Sequence, residues 1–273
     1  MLVNILYTYN MRRTPKKIVA FDLDETLGCF VELGMFWGAL EYTMKGKLSH
    51  KHFFEVMDMF PEFVRPNIYN ILSFLKRKKR QGECEHVMIY TNNQGVRNWT
   101  EMIAAYFDMK MKSKLFDQII AAFKVRGKVV EMRRTSHDKS VDDLLRCTQL
   151  PKGTKICFLD DQYHPLMEDE TVYYINVKPF THSIPFSIMA DRYHANCNPD
   201  MEKNEFVSSV VSFMRMYSFT VTDKSSNEEE VDFIVGKQIL VHLKEFFSSH
   251  SHIDDRSRKH NRKESNDRGT RRK

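Results

Sequence analysis

The chain has 273 residues, 42% hydrophobic and 29% charged, enough for one sizeable α/β domain with additions or for two small domains, and most of it is expected to fold as a soluble globule. No apolar run approaches the roughly 18 residues that a membrane span needs, so the sequence gives no reason to expect a membrane partner. The formal net charge of +6 is concentrated at one end: nine Lys/Arg face four Asp/Glu between Asp254 and Lys273, which leaves about +1 on the preceding residues and argues against an extensive phosphate-tracking groove in the folded part.

The opening stretch MLVNILYTYNMRR is short and has no basic region ahead of its apolar residues. It is expected to be a packed edge segment and not a signal peptide. The run IVAF within KKIVAFDLDETLGCF is rich in β-branched residues and is bounded by acids, which predicts a central parallel strand ending at Asp22, Asp24 and Glu25. Gly28 to Phe63 has mixed periodicity and is partly helical. Within it KLSHKHFFEVMDMF predicts a helix with Ser49 as N-cap. RPNIYNILSFLKRKKR predicts a further helix with Pro66 near its first turn and Ile68, Ile71, Leu72 and Leu75 on one face. Its basic end, Lys76 to Arg80, suits a solvated helix C-terminus, where cations complement the dipole.

HVMIYTNN repeats the opening theme of apolar strand and polar loop, and VRNWTEMIAAYFDMKM predicts the helix after it. FDQIIAAF is a third strand, SVDDLLRCTQL a helix closed off by Pro151 and Gly153, KICFLDD a fourth strand and TVYYINVKPF a fifth. Strands alternating with helices predict an α/β fold with a mostly parallel central sheet flanked by helices and right-handed connections. EFVSSVVSFMRMYSF and VDFIVGKQILVHLKEFF predict two amphipathic helices in 201–250, expected to pack on the sheet, with a partner-binding lid as the alternative. The tail after Ile253 lacks large apolar residues and is expected to be disordered; a nuclear-import or nucleic-acid contact and a purely solubilising role both fit its composition. The organisation expected is therefore a main domain over 1–200 with an insertion at about 28–64, a helical extension over 201–250 and a basic tail over 251–273.

Five scattered cysteines with no CxxC pair suggest reduced thiols in a cytoplasmic or nuclear setting. HANC (His194 to Cys197) and HSH (His250 to His252) each offer half of a zinc site, but neither has a partner pair at useful spacing.

Three strands end in polar residues: Asp22/Asp24, Thr91/Asn92/Asn93 and Asp160/Asp161. Parallel α/β sheets place their sites beyond the carboxyl ends of the strands, so these groups converge on one crevice. Residues two apart on an extended chain share a side, which lets Asp22 and Asp24 address the same point. A carboxylate cluster needs a cation, and hard oxygen ligands suit Mg2+, which readily takes substrate phosphate as a further ligand. A carboxylate beside Mg2+ can attack phosphorus, and a neighbour two residues on can protonate the leaving oxygen and later deprotonate water. Thr91 offers a hydroxyl and Lys139, just before a predicted helix, a positive charge, although Lys124 and Lys128 are also near.

DLDET, YTNN, a later lysine and LDD resemble, in order, the four motifs of the haloacid-dehalogenase (HAD) superfamily. DLDETL followed by VRPNIYNIL is similar to the phosphatases that act on the RNA polymerase II C-terminal domain, and the resemblance covers roughly Lys16 to Lys178. It implies a HAD-like Rossmannoid fold with a small insertion after the first strand. It implies Asp22 as nucleophile, Asp24 as general acid/base with its backbone carbonyl on Mg2+, and Thr26 as a loop support. Thr91 and Asn92 are implied for the phosphoryl oxygens and Lys139 for the charge of the phosphoaspartate. Asp161, with Asp160 beside it, is implied as the fourth-motif Mg2+ ligand. The implied activity is Mg2+-dependent hydrolysis of phosphomonoesters through an aspartyl phosphate, with a phosphorylated protein (phosphoserine/threonine) as substrate. The alternatives are a phosphatase of nucleic-acid ends or small phosphoesters, and a non-catalytic scaffold of the same fold. The chain departs from the group at Gly28 to Phe63, where a β-type insertion is usual, and at QYHP, where the group has Ser-Pro after its acids.

Overall fold

The computed structural model describes residues 16–46, 48–95 and 98–248. The expectations for the opening stretch, for HSH and for the basic tail lie outside these residues. A five-stranded parallel sheet forms the centre, from β1 (Lys17–Phe21), β2 (His86–Tyr90), β3 (Phe116–Ile120), β6 (Lys155–Asp160) and β7 (Val172–Asn176), in the order β3-β2-β1-β6-β7. A separate two-stranded antiparallel ribbon, β4 (Lys124–Val125) with β5 (Lys128–Val129), follows β3. The helices are α1 (Val31–Thr43), α2 (His50–Met59), α3 (Ile68–Arg80), α4 (Trp99–Met111), α5 (Val141–Thr148), α6 (Phe186–Cys197), α7 (Lys203–Met214) and α8 (Ser226–Ser248). The α/β fold with a parallel central sheet flanked by helices is thus the one expected, and it is Rossmann-like.

β1 explains why the strands read as continuous apolar runs. Ile18 and Ala20 face one side of the sheet and Val19 and Phe21 the other, and all four are buried. The first side is thin, covered chiefly by Leu144 and Cys147 of α5 and by Met167. The second carries the main core, built with α1 to α4 and α6 to α8. The insertion after β1 is helical, made of α1, α2 and a single 3-10 turn at Pro61–Phe63. Ser49 does precede α2, and its N–H donates to His52 Nδ1 at 3.0 Å. α7 packs on α1 and α6, and α8 on α3 and β7.

Several expectations are refined. α3 begins at Ile68, after Asn67 in the left-handed region, so Pro66 lies just ahead of the helix. The basic end of α3 is ion-paired as well as placed at the helix terminus: Lys78 meets Glu83 at 2.6 Å and Lys79 meets Asp117 at 2.7 Å. All five cysteines are free thiols, four of them buried. His194 of HANC is half-buried and contacts the Met201 carbonyl at 3.1 Å. No described helix is long and apolar enough to cross a membrane.

The chain runs outward from β1 through β2 to β3, then returns to the far side of β1 as β6. β1 is therefore the point where strand order reverses, and a crevice is expected beyond its carboxyl end.

Candidate active site

β1 delivers Asp22 to that point while still in register: the Asp22 N–H donates to Leu159 O at 2.8 Å. The chain then turns sharply. Glu25 adopts φ +60°, Glu25 N–H donates to Gly28 O at 2.7 Å and Leu27 N–H to Leu23 O at 2.9 Å. Gly28 is required by close approach, since a Cβ there would lie 2.5 Å from Phe63 O. Arg65, fully buried, holds the turn from behind. Its Nε donates to Thr26 O at 2.5 Å, and its Nη2 donates to Glu25 O and, at 2.9 Å, to Lys178 O. Thr26 Oγ1 accepts from Asp161 N–H at 3.1 Å and lies 3.2 Å from Asp161 Oδ1, joining the turn to the end of β6.

All the residues expected at the site line one crevice of about 260 Å³: Asp22 and Asp24, Thr91 and Asn92 after β2, Lys139 before α5, and Asp160 and Asp161 at the end of β6. Lys139 is the lysine that enters; Lys124 and Lys128 lie on the ribbon. Lys139 Nζ is buried between two carboxylates. It donates to Asp22 Oδ1 and, at 2.6 Å, to Asp160 Oδ2. Asp160 also faces His164 Nε2 at 3.3 Å and accepts from Gln162 N–H at 2.8 Å. Asp24 Oδ2 accepts from Asn93 Nδ2 at 2.6 Å, whereas Asp24 Oδ1 is buried with no partner among the described residues. The Thr91 hydroxyl accepts from Asn93 N–H at 3.0 Å, and Asn92 Oδ1 is also buried without a partner among the described residues.

This arrangement sets the charges. One ammonium serves two buried carboxylates, so they diverge. Burial pushes the Asp22 carboxyl up to about 7, against the pull of Lys139, and the neighbouring Asp160 charge adds to the rise. Burial acts on Asp160 in the same direction, but His164 and Lys139 outweigh it and hold Asp160 below the usual carboxylate range. Burial also raises Asp24, opposed by its bond from Asn93.

Oxygens of Asp22, Asp160 and Asp161 lie within 4.8 Å of one another, the only such acidic, His or Cys group among the described residues. Three hard carboxylate donors fit a small oxygen-seeking divalent cation. The Asp24 side chain is not part of this group, being turned to Asn93.

Asn93, His164, Arg65 and Arg134 are site residues to which the sequence assigns no role. Arg134 is buried and donates to Thr91 O at 3.1 Å, Ala121 O at 2.9 Å and His137 O at 2.9 Å, so it fixes the Thr91 loop. Asn93 had a signal in the polar run after β2, and Arg65 in its place before Pro66. Nothing separates Arg134 from the exposed Arg133 beside it. Models of known protein families and curated protein sequences give no match to this chain.

Proposed function

We propose that this protein is a Mg2+-dependent phosphatase that hydrolyses phosphomonoesters through a phosphorylated Asp22, with a phosphoserine or phosphothreonine protein as substrate. The observation that carries this reading is the placement of Asp22 at the sheet's switch point, bonded to Lys139 and grouped with Asp160 and Asp161. The resemblance of the four motifs to those of HAD phosphatases supports it further.

Asp22 is the nucleophile: an oxygen of its carboxylate attacks phosphorus and the bond from phosphorus to the substrate alcohol breaks. Asp24 lies on the same turn, and its raised carboxyl and unpartnered Oδ1 suit it to give a proton to the leaving oxygen. The same carboxylate then takes a proton from water, which attacks the acyl phosphate, regenerates Asp22 and releases phosphate. Lys139 neutralises charge on Asp22 and on the transferring group, and the Thr91 hydroxyl and nearby backbone N–H groups hold its oxygens. Asp22, Asp160 and Asp161 would hold Mg2+, whose charge would supply the remaining neutralisation and favour the ionised carboxylate of Asp22. Arg65, Thr26, Asn93 and Arg134 keep these groups in place.

The intermediate can be captured. Brief incubation with p-nitrophenyl phosphate and Mg2+, acid quenching and peptide mass spectrometry should find phosphate on the peptide carrying Asp22. Turnover with label on a different residue would refute the assignment.

A further inference from the structure

The ribbon β4–β5 is the one described strand pair that stands apart from the central sheet. Its turn, Arg126–Gly127, has φ of +49° and +79°, the positive pair of a tight two-residue hairpin. In five residues, KVRGK, it carries the half-buried Lys124, whose Nζ lies over the Phe123 ring, and the exposed Arg126 and Lys128, with Lys124 and Lys128 on opposite faces of the ribbon. None of the three has a carboxylate within ion-pair distance among the described residues, although many lysines elsewhere do. Beside them, Val129 and Val130 are exposed and Met132 is 80% exposed.

The ribbon is tied to the crevice at both ends. Arg134 bonds Ala121 O, where the ribbon begins, to Thr91 O and to His137 O. The Phe123 ring packs on His137, two residues before Lys139, with centroids 5.8 Å apart. Five residues separate Ala121 from Arg126, a contour of at most about 17 Å. An extended peptide advances about 3.3 Å per residue, so this span corresponds to at most about five residues.

We propose that the ribbon is a docking surface for a second anionic group of the substrate: acidic or phosphorylated side chains of a phosphoprotein, within about five residues of the phosphoresidue in the crevice. This rests on the phosphatase reading above for the position of the scissile phosphate. A polypeptide fits better than a nucleic acid. The one aromatic side chain at the ribbon, Phe123, is already engaged by Lys124 Nζ at 5.1 Å and by His137, so it offers no free face on which a base could stack, and the apolar residues from Lys124 to Arg133 are the aliphatic Val125, Val129, Val130 and Met132.

The test uses two labelled phosphoserine peptides, one with Asp/Glu three to five positions from the phosphoserine on both sides, the other with Asn/Gln there. Binding to the full Asp22→Asn chain is read by fluorescence anisotropy, and kcat/KM is measured with the wild type. The acidic peptide should be favoured about tenfold, from two to three ion pairs at the exposed Arg126 and Lys128 and the half-buried Lys124, and the preference should shrink as salt rises. Lys124→Glu, Arg126→Glu and Lys128→Glu together should bring the ratio to one or invert it. Lys128→Glu alone, at an exposed position, should lower it in the same direction. A ratio near one in the parent chain, or a ratio that survives charge reversal, overturns the proposal. An end-phosphorylated oligonucleotide that binds as tightly as the acidic peptide and is lost on the same reversal overturns the assignment to a polypeptide. If the wild type hydrolyses neither peptide nor p-nitrophenyl phosphate, the catalytic reading fails, while the binding ratios still decide the ribbon.

Discussion

Lys139→Met is the perturbation that most directly examines the charge arrangement of the crevice. The ammonium is buried and is shared by Asp22 and Asp160, which are themselves buried. Its removal leaves two neighbouring carboxylates without their common cation, and among the described residues Asp160 alone keeps other partners, His164 and the Gln162 N–H. Breaking a buried pair by removing one member costs about 3–5 kcal/mol. In a chain of this size each kcal/mol lowers Tm by about 2–4 °C, so a fall of about 10 °C is expected without divalent cation. Mg2+ held by Asp22, Asp160 and Asp161 replaces the lost positive charge, and it should therefore raise the Tm of the variant more than that of the wild type. Turnover should fall by about a hundredfold or more even with Mg2+, because the charge on the transferring group is no longer met. The assays are thermal melts with and without Mg2+ and hydrolysis of p-nitrophenyl phosphate. A Tm within about 2 °C of the wild type, together with undiminished turnover, would refute the reasoning.

Other substitutions examine the supports. Glu32 is fully buried in the first turn of α1, where its carboxylate accepts from Ile184 N–H, and burial pushes it up to about 7 from an ordinary 4.5. Its contribution to stability is full below about 4.5 and is lost as pH rises through about 7, so Glu32→Gln should stabilise the protein at pH 8 by about 2 kcal/mol, after allowance for screening, and change little at pH 4. Urea denaturation at the two pH values checks this, and an equal effect at both would contradict it. Gly236→Ala should destabilise by about 1–3 kcal/mol, because a Cβ there would lie 2.2 Å from Pro66 O, where α8 crosses the segment leading from Arg65; a chemical-denaturation midpoint equal to that of the wild type would show that α8 is not held there. Asn93→Ala removes the 2.6 Å bond to Asp24 and should lower kcat by about tenfold or more while the far-ultraviolet circular dichroism stays unchanged; unaltered kcat would mean that Asp24 is held by other groups.

The inner strands β1, β2 and β6 were legible because they are buried on both faces and therefore appear as short apolar runs, each leading into polar residues, whereas the edge strands β3 and β7 are only partly buried and β3 runs on into Ala121, Ala122 and Phe123. The crevice was legible for the same reason: Asp22 and Thr91 follow their strands directly, Asp160 is the last residue of its own, and Ser140, which caps α5, marks the helix that Lys139 precedes. α1 was hidden because Gly34 and Gly38 weaken its propensity and because it meets both the main core and α7, which blurs its periodicity. The ribbon strands are two residues long, too short for an alternating pattern. Arg65 and Arg134 act through backbone carbonyls from distant parts of the chain, a relation that only the folded geometry creates.

The most direct test is hydrolysis of p-nitrophenyl phosphate by the wild type and by Asp22→Asn, each with Mg2+ and with EDTA, after melts establish that both chains are folded. Turnover by the wild type that requires Mg2+ and vanishes in Asp22→Asn is the expected result. Turnover that persists in Asp22→Asn, or that is undiminished in EDTA, would contradict a Mg2+-dependent phosphatase acting through Asp22.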